Sequence, residues 1–450
     1  MKKPGLIIWF CVISIMGLAQ SKVQAKPSKG QVKPYKVQVK PYKPLVKPRI
    51  LVSTDIGGTD PDDNQTMIYL LMHSDLFNIE GLVSSPSYGN GSEKVIFHMI
   101  NLYAKDYPKL KKHRKGFPTP DYLRSVTKQG RHGTTPYRGF TTATQGSNWI
   151  IKCAEKKSSQ PLWILVWGGL TDLAQALHDA PNIQNKIRVF WIGGPNKKWS
   201  SNSYAYIVKN FPNLLFIECN SSYYGFFVGR NFPDSLTDAA YYPRYINGAG
   251  YLGKDFKNYY NGDIKMGDIP TILYLMSGNP DNPMGESWGG SFQKLKQSPR
   301  VVYHGTTSLK DTVAFSIILE FHFKGPKLNI PSDSVCFHMV VPYGNSAQVW
   351  PGFYLGNGNY AIRYIPKKAR ILTYRITSGI PELNGLSSEL VVTDSWPGKK
   401  HATDYKLGNN WYTDRSAKNL YDGKIQGGKT VSKWRTVVLM NWAKRWEWLR

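Results

Sequence analysis

The sequence RILVSTDIGGTDPDDNQTMIYLLM occupies residues 49–72 and joins two apolar runs through an acidic loop. The first run, at 50–52, is short and rich in branched side chains, which predicts a buried strand. The second run lies within the segment 65–74, whose pattern predicts a helix. The loop between them carries Asp55, Asp60, Asp62 and Asp63. It is the densest acidic cluster in a chain whose formal net charge is +28, so these carboxylates need an explanation.

The chain beyond this loop alternates between short apolar runs and helical patterns as far as about residue 299. The predicted strands lie at 79–85, 161–169, 186–194 and 213–219, and the predicted helices at 93–107, 147–156 and 170–178. This alternation predicts a mostly parallel sheet with helices on both faces. Ligands of such sheets bind beyond the carboxyl ends of the strands, and the acidic loop follows the first strand at that edge.

A series of strand patterns without helices follows between about residues 297 and 395. The predicted strands lie at 314–323, 335–343, 360–366, 369–378 and 386–394. Successive strands of this kind predict a β-sandwich. Residues 431–450 then return to an amphipathic helical pattern. We therefore expect an α/β fold with a mostly parallel sheet flanked by helices, into which an all-β, sandwich-like module is inserted.

The first 25 residues have the features of a secretory signal peptide. Lys2 and Lys3 precede an apolar stretch that ends near Ala19, and Ala25 offers a small residue at a cleavage position. The apolar stretch is too short to favour a membrane-spanning helix. We therefore expect a secreted or periplasmic protein with no transmembrane segment after cleavage of residues 1–25.

The next segment, residues 26–49, is a linker rich in lysine and proline. QVKPYK occurs at 31–36 and again at 38–43. Proline blocks regular structure and the lysines repel one another, so an extended spacer is predicted. Adhesion to an anionic cell envelope is the alternative role. The rest of the chain is predicted to divide into an α/β domain at 50–297, the inserted β module at 298–395 and a return to the α/β domain at 396–450.

The basic composition is partly local, since residues 1–50 carry eleven Lys or Arg and no acidic residue. A basic surface suits nucleic acid, an acidic glycan or an anionic envelope. The chain contains no nucleic-acid-binding motif, so we expect no nucleic-acid partner. Cys153, Cys219 and Cys336 remain after cleavage, which is neither a disulfide framework nor a zinc pattern.

The acidic loop has the composition of a cation site. Carboxylates held close together raise one another's pKa, and a bound cation removes that cost. A ligand set made only of oxygen atoms suits a hard ion such as calcium or magnesium. Gly57 and Gly58 allow the backbone to turn sharply before Asp62 and Asp63. The alternative is a solvated acidic turn or a helix cap, because aspartate is favourable at a helix start in any case.

The segment TDIGGTDPDDNQTM (54–67) resembles the metal-binding motif of the inosine-uridine nucleoside hydrolases, in which D-x-G-x-D-D follows the first strand. It is more similar still to the secreted nucleoside hydrolase-like domain of the cellulose-binding Sde182 type. The resemblance continues through the segments 80–85, 131–133, 146–155, 161–177, 188–194, 267–283 and 287–292, and through the closing residues from Lys433. It spans most of residues 49–297 and the tail, whereas the β module lies outside it.

The resemblance implies a calcium site whose residues have defined roles. By position, Asp55 and Asp63 hold the ion, and the main-chain carbonyl of Trp167 is a further ligand. Asp62 binds the sugar hydroxyls. Asp268 completes the metal shell, with an ordinary helix cap as its alternative role.

The implied reaction is metal-dependent hydrolysis of a glycosidic bond. Asp55 takes a proton from water, the water attacks the anomeric carbon, and nearby carboxylates stabilise the oxocarbenium-like transition state. The resemblance also suggests His132 at the edge of the nucleoside site and Asn202 as the asparagine that orients the sugar's primary hydroxyl. Asn90 is a further substrate-binding candidate. A surface or packing histidine and ordinary loop or turn asparagines are the plainer alternatives.

The chain also departs from the pattern of the nucleoside hydrolases. Ser53 occupies the family's first acidic position, residues 59–61 are extra within the motif, and Ser200 replaces a glutamate. Gly267 stands where many nucleoside hydrolases have the histidine that serves the leaving group. The metal half of the site is retained and the nucleobase half is not, which favours a glycoside whose leaving group needs no such donor.

Three functions remain open from the sequence. The first is a secreted, calcium-dependent hydrolase acting on an N-glycoside or a related sugar compound. The second is a non-catalytic protein that binds a carbohydrate such as a polysaccharide. The third is an adhesion module for acidic polymers that uses the basic linker. The retained set of Asp55, Asp62 and Asp63 favours the first, because a binding protein needs no base beside its metal. Oligomer formation is compatible with all three.

Overall fold

The computed structural model describes residues 47–86, 88–89, 91–227 and 236–450. The predicted signal peptide and all but the last three residues of the predicted linker lie outside the described residues, as does Asn90. Within the described ranges, no helix combines the length and the apolar character that crossing a bilayer requires.

The first part of the described chain alternates between strands and helices. Its strands are β1 (Arg49–Thr54), β2 (Asn78–Ser84), β3 (Thr127–Gln129), β4 (Leu162–Val166), β5 (Ile187–Ile192), β6 (Leu215–Cys219) and β7 (Phe292–Lys294). Its helices are α1 (Asp62–Met72), α2 (Glu93–His113), α3 (Pro120–Ser125), α4 (Gln145–Glu155), α5 (Thr171–Asp179), α6 (Gly194–Trp199), α7 (Ser201–Asn210), α8 (Asp238–Tyr241), α9 (Gly250–Phe256) and α10 (Ile269–Met276).

Strands dominate the following part, and two helices close the chain. The strands are β8 (Gln297–Ser298), β9 (Arg300–His304), β10 (Thr312–Ala314), β11 (Ile318–Lys324), β12 (Val335–Tyr343), β13 (Ser346–Gly356), β14 (Asn359–Tyr364), β15 (Arg370–Ser378), β16 (Ser387–Thr393), β17 (Tyr405–Lys406) and β18 (Trp411–Asp414). The closing helices are α11 (Lys429–Ser432) and α12 (Arg435–Trp446).

The first sheet has the strand order β3-β2-β1-β4-β5-β6-β18-β7. All pairs from β3 to β18 are parallel, and β7 joins the edge antiparallel to β18. Side chains alternate between the two faces of a strand. Accordingly, Ile50 and Val52 of β1 pack in the apolar core that contains helices α1, α2, α10 and α12. Leu51 packs in the core that contains α4, α5 and α7. The predicted parallel sheet with helices on both faces is confirmed.

The second sheet has the strand order β10-β16-β15-β12-β13-β14-β11-β9. Its inner pairs are antiparallel, and the outermost pair at each edge is parallel. Hydrogen bonds join all eight strands into one sheet. Its inward-facing side chains continue the core that contains α4, α5 and α7. The predicted fold class, an α/β protein with an added all-β module, is thereby confirmed.

The sequence pattern did not predict several of the strands, for physical reasons. Strand β13 contains Pro351 and Gly352, which disrupt the alternation by which a strand is recognised. Strand β18 is only four residues long, and its place beside β6 depends on the chain returning after the whole β module. The closing helical pattern is divided into α11 and α12 around Lys433 and Trp434.

A buried ionic network joins the second sheet to the α/β part. Glu320 accepts hydrogen bonds from Arg363 Nε (2.9 Å), Tyr137 OH (2.6 Å) and His322 Nε2 (2.9 Å), and it forms an ion pair with Arg300 (3.3 Å). Arg363 Nη1 also donates to the carbonyl of Tyr137 (2.6 Å). Burial alone would raise the pKa of Glu320, but the hydrogen bond from His322 and the charge of Arg363 hold it well below its usual range. The carboxylate is therefore ionised, and it ties β11 to the loop that contains Tyr137.

Candidate functional site

The carboxyl ends of β1 and β4 form one side of the site. The two strands are parallel neighbours with Ser53 opposite Val166, so the residues that follow them, Asp55 and Trp167, come together. Trp167 N donates to the carbonyl of Ser53 at 2.7 Å. A Cβ added at Gly168 would lie 2.8 Å from Asp55 Cβ. A glycine is therefore needed where the β4 loop passes Asp55.

The start of α1 supplies two more carboxylates. Asp62 and Asp63 occupy its first turn, where the helix dipole favours negative charge. Asp63 is only 2% exposed, and its Oδ1 accepts a short hydrogen bond from Thr54 Oγ1. Thr54 Oγ1 in turn accepts from the backbone N–H of Ile56 at 3.0 Å. The end of β1 thus holds the Asp63 side chain in place.

Gln65 of the same motif connects α1 to the later segment that contains Asp268. Its Nε2 donates to the carbonyl of Asp263 at 2.7 Å, and its Oε1 accepts from the backbone N–H of Lys265 at 2.7 Å. Trp167 Nε1 anchors the same region, because it donates at 2.8 Å to Thr271 Oγ1 in α10. These contacts bring a residue more than two hundred positions away to the acidic loop.

Asp268 precedes α10 and is 2% exposed. Its side chain accepts no capping hydrogen bond from the helix, and Oδ2 has no hydrogen-bond partner among the described residues. Carboxylate oxygens of Asp62, Asp63 and Asp268 all lie within 4.8 Å of one another. A buried carboxylate oxygen without a donor, beside two further carboxylates, has the chemistry of a cation ligand.

The electrostatics of these aspartates are unfavourable without a counter-charge. Burial, reinforced by the charge of Asp60, raises the pKa of Asp55 to about 6. Burial and repulsion between neighbouring carboxylates raise the pKa values of Asp62, Asp63 and Asp268 well above the usual range. A divalent cation would reverse this effect by favouring the ionised forms. Since only oxygen donors are present, the residues fit a hard cation.

These groups line a cavity of about 320 Å³. Asp55, Asp62, Asp63, Asp268 and Trp167, which the sequence analysis assigned to the metal and the sugar, all belong to its lining. The carbonyl of Trp167 accepts a hydrogen bond from Asn196 Nδ2 at 3.0 Å. A carbonyl has two lone pairs, so one remains for a ligand.

The other predicted substrate-binding residues lie elsewhere. His132 is exposed and does not line this cavity. Asn202 is 7% exposed, and its amide is engaged away from the cavity: Nδ2 donates to the carbonyl of Thr135 at 2.9 Å, and Oδ1 accepts from Arg363 at 3.3 Å. Asn90 lies outside the described residues.

The structure shows the contacts of the three residues that depart from the nucleoside hydrolase pattern. A Cβ added at Gly267 would lie 2.3 Å from Asp62 Oδ2, so position 267 cannot carry a side chain unless Asp62 moves. Ser200 Oγ accepts from the backbone N–H of Leu170 at 3.2 Å. Ser53 Oγ is buried without a hydrogen-bond partner among the described residues.

The cavity also contains residues that the sequence analysis did not select. They include the lysines Lys198, Lys265 and Lys367, the aromatic residues Tyr88, Trp199, Tyr223, Tyr224, Phe227 and Tyr343, and Gln348. Tyr343, Gln348 and Lys367 come from the β module, for which the sequence offered no role. No local signal identifies them, since a lysine or tyrosine beside a strand is usually a solvated surface residue.

Comparison with known proteins gives two family matches. The model of the family described as "cellulose-binding Sde182, nucleoside hydrolase-like domain" matches residues 49–292. A domain of unknown function, DUF5060, matches residues 313–379 within the second sheet. No curated protein matched the chain.

Three solved structures illustrate the similarity. A nucleoside hydrolase-related protein from Saccharophagus degradans, described as associated with carbohydrate metabolism, is 19% identical; the match covers 77% of this chain and 100% of that one, with a TM-score of 0.47. The inosine-uridine preferring nucleoside hydrolase from Bacillus anthracis is 18% identical, covering 57% of this chain and 87% of that one, with a TM-score of 0.32. A putative glycoside hydrolase from Bacteroides vulgatus is 28% identical over 18% of this chain and 16% of that one, with a TM-score of 0.17.

Proposed function

Because this chain belongs to the family of cellulose-binding Sde182, nucleoside hydrolase-like domains, we propose that it is a secreted, calcium-dependent glycosyl hydrolase. Its substrate would be an N-glycoside or a related sugar compound. The observation that carries the proposal is the carboxylate cluster of Asp62, Asp63 and Asp268, whose oxygen atoms lie within 4.8 Å of one another and in which Asp268 Oδ2 has no donor among the described residues. Asp55 lines the same cavity and is the base that a purely binding protein would not need.

Asp55, Asp63, Asp268 and the carbonyl of Trp167 would hold the ion. Calcium suits them better than magnesium, because it accepts carboxylates and a main-chain carbonyl in flexible geometry, whereas magnesium retains much of its water. A calcium ion bound there would supply Lewis-acid polarisation of a water molecule and of the sugar hydroxyls. Thr54 supports the site by fixing the orientation of Asp63.

Asp55 would act as the general base. It takes one proton from water while the water oxygen forms a bond to the anomeric carbon and the bond from that carbon to the leaving group breaks. The electron pair of the broken bond departs with the leaving group. Asp62 hydrogen-bonds the sugar hydroxyls, and the carboxylates of the cavity stabilise the positive charge that develops on the sugar ring.

The leaving group receives no proton from position 267. Gly267 has no side chain, and the clash with Asp62 leaves no room for one. This feature favours substrates whose leaving group is stable as an anion once it is released, or whose leaving group carries its own proton source. Activated glycosides should therefore be cleaved faster than unactivated nucleosides.

The test is hydrolysis of a panel of nucleosides and 4-nitrophenyl glycosides with and without a calcium chelator. Asp63→Ala and Asp55→Asn should each lower turnover at least a hundredfold, and Asp63→Ala should also abolish calcium binding in calorimetry. Asp121→Asn is the matched control, because the Asp121 side chain is 94% exposed and lies away from the cavity. Turnover that is unaffected by chelation or by Asp63→Ala would contradict the proposal.

A second function, polysaccharide binding without catalysis, is favoured by one observation. Tyr88 lies parallel to Trp199 with ring centroids 4.0 Å apart, and Trp199 stacks on Trp350 at 4.3 Å. Tyr88 is 46% exposed at the cavity, so the face of its ring that Trp199 does not cover is a flat apolar surface for a sugar. Binding of soluble cellulose fragments by the wild type, lost in Tyr88→Ala and without turnover on the panel, would favour this function over hydrolysis.

A further inference from the structure

The acidic cavity also has three lysines in its lining, Lys198, Lys265 and Lys367. Lys265 Nζ pairs with Asp60 at 2.5 Å. Within the described part of the chain, neither Lys198 nor Lys367 forms an ion pair with any carboxylate. Two cations without counter-ions therefore border the same space as the carboxylate cluster.

Lys198 is unusual because its charge is buried. The residue is 7% exposed, and its Nζ donates to Gln348 Oε1 at 2.8 Å. The ammonium also lies over the rings of Trp199 (4.6 Å), Trp350 (5.4 Å) and Tyr343 (5.5 Å). The ring faces and one amide oxygen stabilise the ammonium, but they leave it with donors to spare, because an ammonium carries three. Burial, together with the charges of Lys367 and Arg370, lowers its pKa to about 8.

These lysines form no direct ion pair with the carboxylate cluster, although the charge of Lys265 opposes the rise in the pKa of Asp62. None of them lies within ion-pair distance of Asp62, Asp63 or Asp268. The N–H donors of Lys198 and Lys367 are therefore not consumed by these carboxylates, and they are available to a negatively charged group on the ligand.

Lys367 also lines a second cavity. This cavity, of about 390 Å³, shares Tyr223, Tyr224 and Lys367 with the first, so the two cavities are neighbours. Its lining adds Lys368 and Lys424, with Asp394 as the carboxylate. Lys367 is therefore within reach of a ligand in either cavity.

Building on the proposed function, we propose that Lys198 and Lys367 form an anion subsite and that the preferred substrate is an anionic glycoside. The negative group is carried on the sugar that enters this cavity, as a carboxylate, a sulfate or a phosphate. Neutral glycosides contact only the carboxylates of the same cavity, so they bind more weakly than anionic ones.

The experiment is calorimetric titration of the calcium-loaded full chain with four probes: glucose, glucuronate, glucose 6-sulfate and glucose 6-phosphate. We expect at least one anionic sugar to bind about tenfold or more tightly than glucose, because charge-assisted hydrogen bonds are the strong ones. The preferred probe identifies the anion as carboxylate, sulfate or phosphate. The advantage should shrink as salt is raised.

Lysine variants complete the experiment. Lys367 is exposed. Lys367→Gln should remove most of the difference in affinity between the anionic sugar and glucose, while the affinity for glucose changes less than twofold. Lys198→Gln should also reduce this difference. Lys209→Gln in α7 is the control, because Lys209 is exposed and lines neither cavity. Equal affinity for all four probes, or an advantage that survives both variants, would refute the subsite.

The two proposals fail in distinguishable ways. Calcium-dependent cleavage of 4-nitrophenyl β-glucoside would support the hydrolase proposal. If 4-nitrophenyl β-glucuronide is then not preferred and no anionic probe binds tightly, the anion subsite is refuted and the hydrolase proposal stands. If an anionic sugar binds through Lys367 and neither glycoside is cleaved, the subsite stands and the hydrolase proposal fails.

Discussion

In the absence of the proposed calcium ion, the contribution of Asp55 to the stability of this protein should fall as the pH rises from about 4 to about 7. Asp55 ordinarily has a pKa of 3.8 and in the folded chain has a pKa of about 6, chiefly because it is buried. A carboxyl with a raised pKa binds its proton more tightly when folded than when unfolded. Its contribution to stability is therefore fully present below pH 3.8 and is lost as the pH rises through 6.

The magnitude follows from the same pKa. A tenfold change in proton affinity corresponds to about 1.4 kcal/mol, so a pKa of 6 against 3.8 corresponds to about 3 kcal/mol of unfolding free energy. Asp62, Asp63 and Asp268 have pKa values raised by the same causes. They should extend the loss of stability to higher pH.

The assay is urea unfolding at pH 4, 5, 6, 7 and 8 in the presence of a chelator, for the wild type and for Asp55→Asn. The amide of Asp55→Asn does not titrate, so the difference between the two proteins isolates this residue from carboxylates with lowered pKa values, such as Glu320. We expect Asp55→Asn to be more stable than the wild type by about 3 kcal/mol at pH 7, with the difference vanishing near pH 4. Saturating calcium should reverse the sign. A difference that is constant across this pH range would refute the electrostatic reasoning.

Three further predictions follow from individual contacts. Gly168→Ala would place a Cβ 2.8 Å from Asp55 Cβ; we expect a loss of about 1–3 kcal/mol in unfolding free energy and weaker calcium binding, measured by urea unfolding and calorimetry. Thr54→Val removes the hydrogen bond to Asp63 and should weaken calcium binding about 10- to 100-fold in calorimetry, whereas Thr127→Val, distant from the cavity, should not. Glu320→Gln leaves Arg363 and Arg300 without their carboxylate and should cost about 3 kcal/mol in urea unfolding; a change below 1 kcal/mol would show that the network does not stabilise the junction.

The β module contributes to the cavity as well as to the fold. Tyr343, Gln348 and Lys367 line the cavity from the second sheet, and β18 returns to pair with β6 in the first sheet. We propose on this basis that residues 298–395 are an insertion that shapes the substrate site of the domain formed by 50–297 and 396–450. Gln348→Ala, at a cavity residue from the module, should leave calcium binding intact and reduce discrimination among sugars.

The local sequence determined the strand, the loop and the helix that carry most of the carboxylates. Ile50 to Val52 alternate between two cores, and Asp55, Asp62 and Asp63 follow within the span of one strand–loop–helix unit. Such features depend on short-range periodicity and on the chemistry of adjacent residues, so they are visible in the sequence. The predicted alternation of strands and helices specified a parallel sheet for the same reason.

Only the tertiary structure decided which distant groups meet these carboxylates. Asp268 reaches the cluster because Gln65 and Trp167 hold the start of α10 against the ends of β1 and β4. Lys367 lines the same cavity as this cluster because the second sheet packs on α7, and the same packing engages Asn202 Oδ1 with Arg363 rather than with the cavity. Contacts of this kind depend on how separate elements pack, and side-chain spacing along the chain does not encode them.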